Sequence, residues 1–159
     1  MSARGALLAL ALSTAAVLAA LLWVGVVQAM QEAGGLRPFD LRPLGYDHAA
    51  AEAYLAALTE SGRARLLGPV AALDTAFPVL LGALLAGLFW RLGRPWLAPL
   101  PFLYTAADLW ENARVRAMIA AGPEGVTPEM AEGASAVTQG KYALLVMALA
   151  LLWAIWRRR

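Results

Sequence analysis

The sequence predicts an all-α fold, a membrane four-helix bundle with a long first external loop that carries a short amphipathic helix. Three observations predict it. The chain is 61% hydrophobic and only 15% charged, against roughly 25% charged in soluble domains. Its apolar residues fall in stretches of about 20 residues, the length an α-helix needs to cross a hydrocarbon core. Its basic residues collect in short segments beside those stretches, where charge acts as a topology signal. Four spans and one loop fill nearly all 159 residues, so a single integral membrane domain over 1–159 is expected.

The first predicted span covers residues 6–27: Ala6 to Val27 contains no charge and follows Arg4. Val27-Gln28-Ala29 loosely resembles a signal-peptide cleavage site, but the apolar run far exceeds the roughly 7–15 residues of a signal h-region. It is therefore read as a membrane helix. Residues 28–68 are polar and form the predicted external loop, with turn signals at Gly34-Gly35, Arg37-Pro38, Arg42-Pro43 and Gly45. Inside it, Asp47 is suited to cap a helix running to about Ser61, with Gly62 as its stop. Ala50, Tyr54, Ala57 and Leu58 share one face of that helix, while Glu52 and Glu60 lie elsewhere. Such a helix should lie on the membrane surface or cap the bundle.

The second predicted span, 69–90, contains one charge, Asp74, and Pro78. Proline has no N–H, so Pro78 should kink the helix and free a carbonyl about one turn earlier. Arg91 to Pro95 is a tight basic turn. The third span, 96–119, is the least hydrophobic: Pro99 and Pro101 lie in its first turns, and Asp108, Glu111, Asn112, Arg114 and Arg116 follow. Thr127-Pro128-Glu129 looks like a helix start, with Thr127 as cap and Pro128 in the first turn. The fourth span, 134–156, has Lys141 as its only charge, and Arg157 to Arg159 end the sequence.

Charge gives an orientation. Arg4, Arg91, Arg94 and Arg157 to Arg159 occupy three short segments without acids, whereas all eleven acidic residues lie in the other half of the predicted molecule. The positive-inside rule places the basic side, with both termini, in the cytoplasm of a bacterial inner membrane, and residues 28–68 in the periplasm. Trp90, Trp96, Trp153 and Trp156 fall at the same boundary, as an aromatic belt would.

Composition also excludes chemistry. There is no cysteine and only one histidine, His48, so disulfides, iron–sulfur clusters and Cys/His zinc sites are ruled out. A b-type haem with two buried axial ligands is not expected either; no cofactor or metal is. The isoelectric point of 9.4 does not imply nucleic acid, because the basic residues flank apolar segments instead of forming a stripe. No nucleophile–base motif, phosphate loop or nucleotide fingerprint is present, which weighs against an ordinary enzyme.

The informative residues are the polar ones inside the spans. At about 1.5 Å per residue from the flanking arginines, Asp74, Glu111 and Lys141 lie at one level, roughly 25 Å from the basic side, with Asp108 a turn deeper and Arg114 a turn nearer the outer surface. At 100° per residue, Tyr104, Thr105, Asp108, Glu111 and Asn112 share one face of span three, and Trp110 points away. Lys141 shares a side of span four with Thr138 and Ser135. A lysine in a span is far cheaper beside a carboxylate than beside lipid, so Lys141 is expected to pair with Glu111 or Asp108, and Asp74 with Arg114 or Lys141. Asp74, Asp108, Glu111, Asn112, Arg114, Lys141, Tyr104 and Thr138 thus form the candidate cluster. It is either structural glue fixing helix register or a polar pocket opening to the periplasm. Three carboxylates against two cations leave one surplus negative charge, so one carboxyl, Asp108 by its depth, is expected to hold a proton. His48 reads as a solvated surface residue. Gly82, Ala83, Ala86 and Gly87 read as a close-packing strip within the bundle.

Gly45-Tyr46, Gly62-Arg63, Asp74 with Phe77-Pro78, Asp108 with Glu111-Asn112, and Lys141 together resemble a group of small uncharacterised bacterial four-span membrane proteins over most of the chain. No activity comes with that resemblance. The acidic residue ahead of a proline in span two, with the long first loop, is also faintly similar to the emopamil-binding-protein-related four-span proteins. That likeness implies buried carboxylates, here Asp74 and Asp108, holding a cationic amine, although Lys141 and Arg114 would compete for them.

The expected function is a non-catalytic accessory or scaffold subunit or a small binding module. The alternative is a lipid or amphipathic-amine binding protein, or an isomerase-like enzyme, acting through Asp74, Asp108 and Glu111. A proton or ion pathway fits least, because Ser13 and Thr14 are the only obvious polar groups in the cytoplasmic halves of the spans. Expected partners are membrane lipids, with anionic lipid against the terminal arginines, other membrane subunits and a hydrophobic ligand.

Overall fold

The computed structural model describes residues 2–158; the anchor expected at Arg159 lies outside them. The described residues are all-helical, in five main helices: α1 (Ala3–Glu32), α2 (His48–Ala57), α3 (Glu60–Arg91), α4 (Pro99–Ala121) and α5 (Pro128–Trp156). By length and composition α1, α3 and α5 can cross a membrane. At 23 residues α4 is about 35 Å long at 1.5 Å per residue, but it is more polar than the other three.

The helices overrun the predicted spans at the end away from the arginines. α1 continues to Glu32, α3 begins at Glu60 where 69 was expected, and α5 runs unbroken from Pro128 where 134 was expected. For α3 and α5 the physical reason is capping. The Thr127 side chain accepts from Met130 N–H and the Thr59 side chain from Gly62 N–H, so each start is fixed before hydropathy rises. Gly62 therefore lies inside a first helical turn and does not stop a helix. Asp47 caps α2 as predicted, accepting from Ala50 N–H at 2.8 Å, but α2 ends at Ala57 because Leu58 and Thr59 are extended. Its buried face is Ala51, Tyr54 and Leu55, followed by Leu58; Ala57 is exposed. That face packs in one core with Met118, Ile119, Ala131 and Ala134, so α2 lies against the ends of α4 and α5.

α4 lies between α3 and α5, and α1 packs against the far side of α3. The glycine strip of α3 serves both contacts: a Cβ at Gly82 would meet the Thr105 hydroxyl of α4, and one at Gly87 would meet the Leu7 side chain of α1. It is a packing strip within the chain, as expected. α1 and α3 each contain a π-helical stretch, Leu21–Gln28 and Leu66–Val70, and the two approach closely at Gly25, whose Cβ would sit 3.3 Å from Val70 Cγ1. At the end that carries α2, Glu32 ties α1 to α3, accepting from Thr59 and Ser61 and pairing with Arg65 at 3.2 Å. At the opposite, basic end a small core forms around Leu85, Phe89 and Ala148, and Trp90, Trp96, Trp153 and Trp156 are exposed around it. Polar side chains occupy the layer between the two cores.

Candidate functional site

The predicted meeting of Lys141 with the carboxylates of α4 is present. Lys141 Nζ lies 2.5 Å from Glu111 Oε2 and 2.9 Å from Asp108 Oδ1, and a third carboxylate, Asp40 Oδ1, is 2.8 Å away. Glu111 is fully buried, and Lys141 and Asp108 nearly so. Thr138 Oγ1 donates to Glu111 Oε1 at 2.6 Å, and Asn112 Nδ2 donates to Asp108 Oδ2 at 3.2 Å. Tyr104 is buried on the same face of α4. An ion inside a low-dielectric layer is tolerated only when its hydrogen-bonding positions are filled. The ammonium has three donors and meets three carboxylates, so Lys141 meets that condition.

Asp40 is the residue that sequence reasoning missed. It lies in the single turn of 3₁₀ helix Phe39–Leu41, in a segment of turns where distance along the chain does not convert into depth. The segment is held from both sides. Tyr142 Oη donates to the Asp40 carbonyl at 2.5 Å, while the Phe39 ring packs 4.9 Å from the rings of both Tyr46 and Tyr54. The Arg42 guanidinium stands 5.6–5.7 Å from all three ring centres, and its Nη2 donates to the Arg37 carbonyl at 2.7 Å. Burial and loss of water pull the Arg42 pKa down, opposed by Tyr46, Tyr54 and Asp47. Burial also pushes the Tyr54 hydroxyl up to about 12. Tyr46 N–H donates to Ser135 Oγ at 2.8 Å, and Gly45, at φ +89°, has Gln139 and Ser135 where a Cβ would stand. Burial pushes the Asp40 carboxyl up, but the Lys141 charge together with hydrogen bonds from Glu111 and Lys141 outweighs it, so Asp40 titrates below the ordinary carboxylate value.

Two expected pairings are corrected. Asp74 makes no ion pair among the described residues; its contact with α4 is through the backbone. Pro78 leaves the Asp74 carbonyl without its helical N–H, and Asn112 Nδ2 donates to that carbonyl at 2.8 Å. The carbonyl freed by the proline is thus satisfied by the neighbouring helix. Arg114 is not in the cluster: its guanidinium lies 5.4 Å from the Trp110 ring centre and against Gly133. Four residues apart on one helix, Arg114 and Trp110 share a side, and Trp110 faces outward. The charge balance is therefore more acidic than expected, with Asp40, Asp108 and Glu111 around one lysine. His48 is likewise half-buried, its Nε2 donating to the Val126 carbonyl at 3.0 Å, instead of solvated.

Beside the cluster lies a cavity of about 190 Å³, bounded by α1, α3, α4 and α5 and by Pro38–Leu41. Leu18, Leu22 and Val26 of α1, Phe77 of α3 and Leu145 of α5 form apolar walls; Asp40, Asp74, Asp108, Asn112, Arg116 and Lys141 supply the polar lining. α1 packs mainly on α3 and α5 mainly on α4, so among the described residues the α1 and α5 flanks of the cavity touch each other little. Among the described residues no group of His, Cys, Asp and Glu has metal-binding geometry. Comparison of the chain with protein-family models, with curated proteins and with solved structures finds no match.

Proposed function

We propose that the protein is a small four-span membrane protein that binds an amphipathic ligand in the cavity between α1 and α5, without catalysing a reaction. The observation that carries this reading is a cavity whose walls are apolar and whose polar lining holds more carboxylates than cations. Apolar walls with a few convergent polar groups are the usual composition of a small-molecule site. The Lys141 cluster serves it as a frame, because one ammonium joins α5 to α4 and to the Asp40 turn.

α4 is read as the fourth span because its polar side chains are turned inward. Asp108, Glu111 and Asn112 are buried, whereas Phe102, Leu103 and Trp110 are exposed, the pattern of a helix with lipid outside and partners inside. On this reading both termini lie on one side, and the excess of arginine there supports taking that side as the cytoplasm of a bacterial inner membrane. Membrane lipid then surrounds the exposed apolar side chains of α1, Leu8, Leu12, Leu22 and Trp23.

Native mass spectrometry of the gently solubilised protein tests the reading. A retained amphiphile, released when Leu22→Trp fills the apolar wall, is expected. A protein that carries no bound molecule and whose stability is indifferent to added lipids contradicts it, and favours an accessory subunit in which the cluster only fixes helix register.

A further inference from the structure

The geometry points to a ligand class: a phospholipid whose zwitterionic headgroup carries a free ammonium, held through Asp74 and Arg116. This deepens the ligand-binding reading and rests on it. Of the carboxylates lining the cavity, Asp40 and Asp108 are already held by Lys141, as is Glu111 beside them. Asp74 is different. Its carboxylate lines the same cavity and has neither an ion-pair nor a hydrogen-bond partner among the described residues. Arg116 is its counterpart in charge. It lines the cavity and is half-buried, its Nε donates to the Asn112 carbonyl at 3.0 Å, and its two terminal nitrogens have no acidic partner among the described residues.

Asn112 touches both residues. Its side chain donates to the Asp74 backbone carbonyl and its own backbone carbonyl accepts from Arg116 Nε, so Asp74 and Arg116 are anchored to one asparagine, with no salt bridge between them among the described residues. An unpaired acid and an unpaired base on one wall are complementary to a ligand that carries both charges. A guanidinium takes a phosphate through parallel N–H donors, and a carboxylate takes an ammonium that has N–H groups to give. The combined charge of Asp74 and Arg116 is zero, so a zwitterion leaves neither uncompensated in a dry site. An anionic headgroup would leave Asp74 facing like charge, and a simple amine would leave Arg116 without a partner. A quaternary ammonium has no N–H to donate to Asp74, which separates ethanolamine-type from choline-type headgroups. A cavity of about 190 Å³ takes the headgroup alone, and the acyl chains run outward past Leu18, Leu22 and Leu145 through the flank between α1 and α5 toward the bilayer.

The test is a competition in nanodiscs made from equal parts phosphatidylethanolamine, phosphatidylcholine and phosphatidylglycerol, with lipids retained by the extracted protein identified by native mass spectrometry. The wild-type protein is expected to enrich phosphatidylethanolamine at least severalfold over both others. Asp74→Asn should bring ethanolamine and choline lipids to parity, and Arg116→Gln should lower retention of both. The wild-type competition needs no variant, so misfolding of either variant leaves the result readable. Retention of the three lipids in equal amounts, or a preference for phosphatidylglycerol, overturns this inference while leaving the ligand-binding reading intact. Retention of no phospholipid overturns this inference, and a failure to bind any amphiphile removes the broader reading with it.

Discussion

The Lys141 ammonium stands 2.8 Å from the carboxylate of Asp40, a residue 101 positions earlier in the chain. This contact joins the last helix to the turn that roofs the cavity, and it completes a ring of three carboxylates about the chain's single lysine. Its consequences can be separated by mutation.

Lys141→Met is expected to be the most damaging single change in the cluster. It leaves Asp40, Asp108 and Glu111 facing one another, and removing one partner of a buried pair destabilises by roughly 3–5 kcal/mol. Adding Glu111→Gln and Asp108→Asn to Lys141→Met should recover part of the loss, because the buried negative charge goes with the lysine. Thermal unfolding in detergent, followed by circular dichroism, checks both outcomes; equal stability of the single and triple variants contradicts the electrostatic explanation.

Asp40→Asn should be milder, about 1 kcal/mol at neutral pH, because 37% of the Asp40 side chain is open and screening weakens such a pair. Its pH dependence has a definite sign. The folded-state pKa of Asp40 is depressed, so its stabilisation is present above the ordinary carboxylate value and is lost as pH falls through the folded value. The gap in unfolding temperature between wild type and Asp40→Asn is therefore expected to close on acidification below that range. A gap that widens there contradicts the assignment.

Asn112→Ala removes the donor that satisfies the Asp74 carbonyl, and an orphaned buried carbonyl costs about 1–3 kcal/mol. Pro78→Ala restores a backbone N–H to that carbonyl. The loss caused by Asn112→Ala should accordingly be smaller in the Pro78→Ala background. A double-mutant cycle of unfolding free energies with no coupling between the two sites would rule out this pairing.

Gly82→Ala places a Cβ against the Thr105 hydroxyl, with the Pro101 carbonyl of the same helix α4 3.2 Å away. That hydroxyl donates to the Pro78 carbonyl at 2.9 Å, so the substitution should both wedge α3 from α4 and break a hydrogen bond. Overpacking of this kind typically costs about 1–3 kcal/mol, read as a lowered unfolding temperature.

The four-span topology can be checked without background because the sequence has no cysteine. Ser2→Cys and Arg158→Cys are expected to be shielded from a membrane-impermeant thiol reagent in intact cells stripped of any outer barrier, and Glu52→Cys to be labelled. Labelling of Arg158→Cys but not Ser2→Cys would mean that α4 does not cross.

How far the sequence could be read followed the physics of each segment. Helical periodicity carried Glu111, Asp108, Thr138 and Lys141 to one place, because rise and rotation per residue convert position into depth and direction. The same arithmetic had enough information to exclude Arg114, which lies four residues from the outward-facing Trp110, although depth alone placed it in the cluster. Asp40 was illegible: a chain of turns between Gly34 and Gly45 has no fixed rise, and only its tertiary clasp by Arg42, Tyr46, Tyr54 and Tyr142 sets its height. The freed carbonyl was anticipated from Pro78, but its satisfaction by Asn112 depends on how α3 and α4 are aligned, which no single helix encodes.

The most direct test uses that single lysine. With ¹⁵N in the Lys141 side chain and ¹³C in the Asp and Glu carboxyls, solid-state NMR of the protein in lipid bilayers should show strong nitrogen–carbon dipolar coupling to three carboxyl carbons, with one of the three lost in Asp40→Asn. An ammonium signal with no carboxyl coupling would contradict the account.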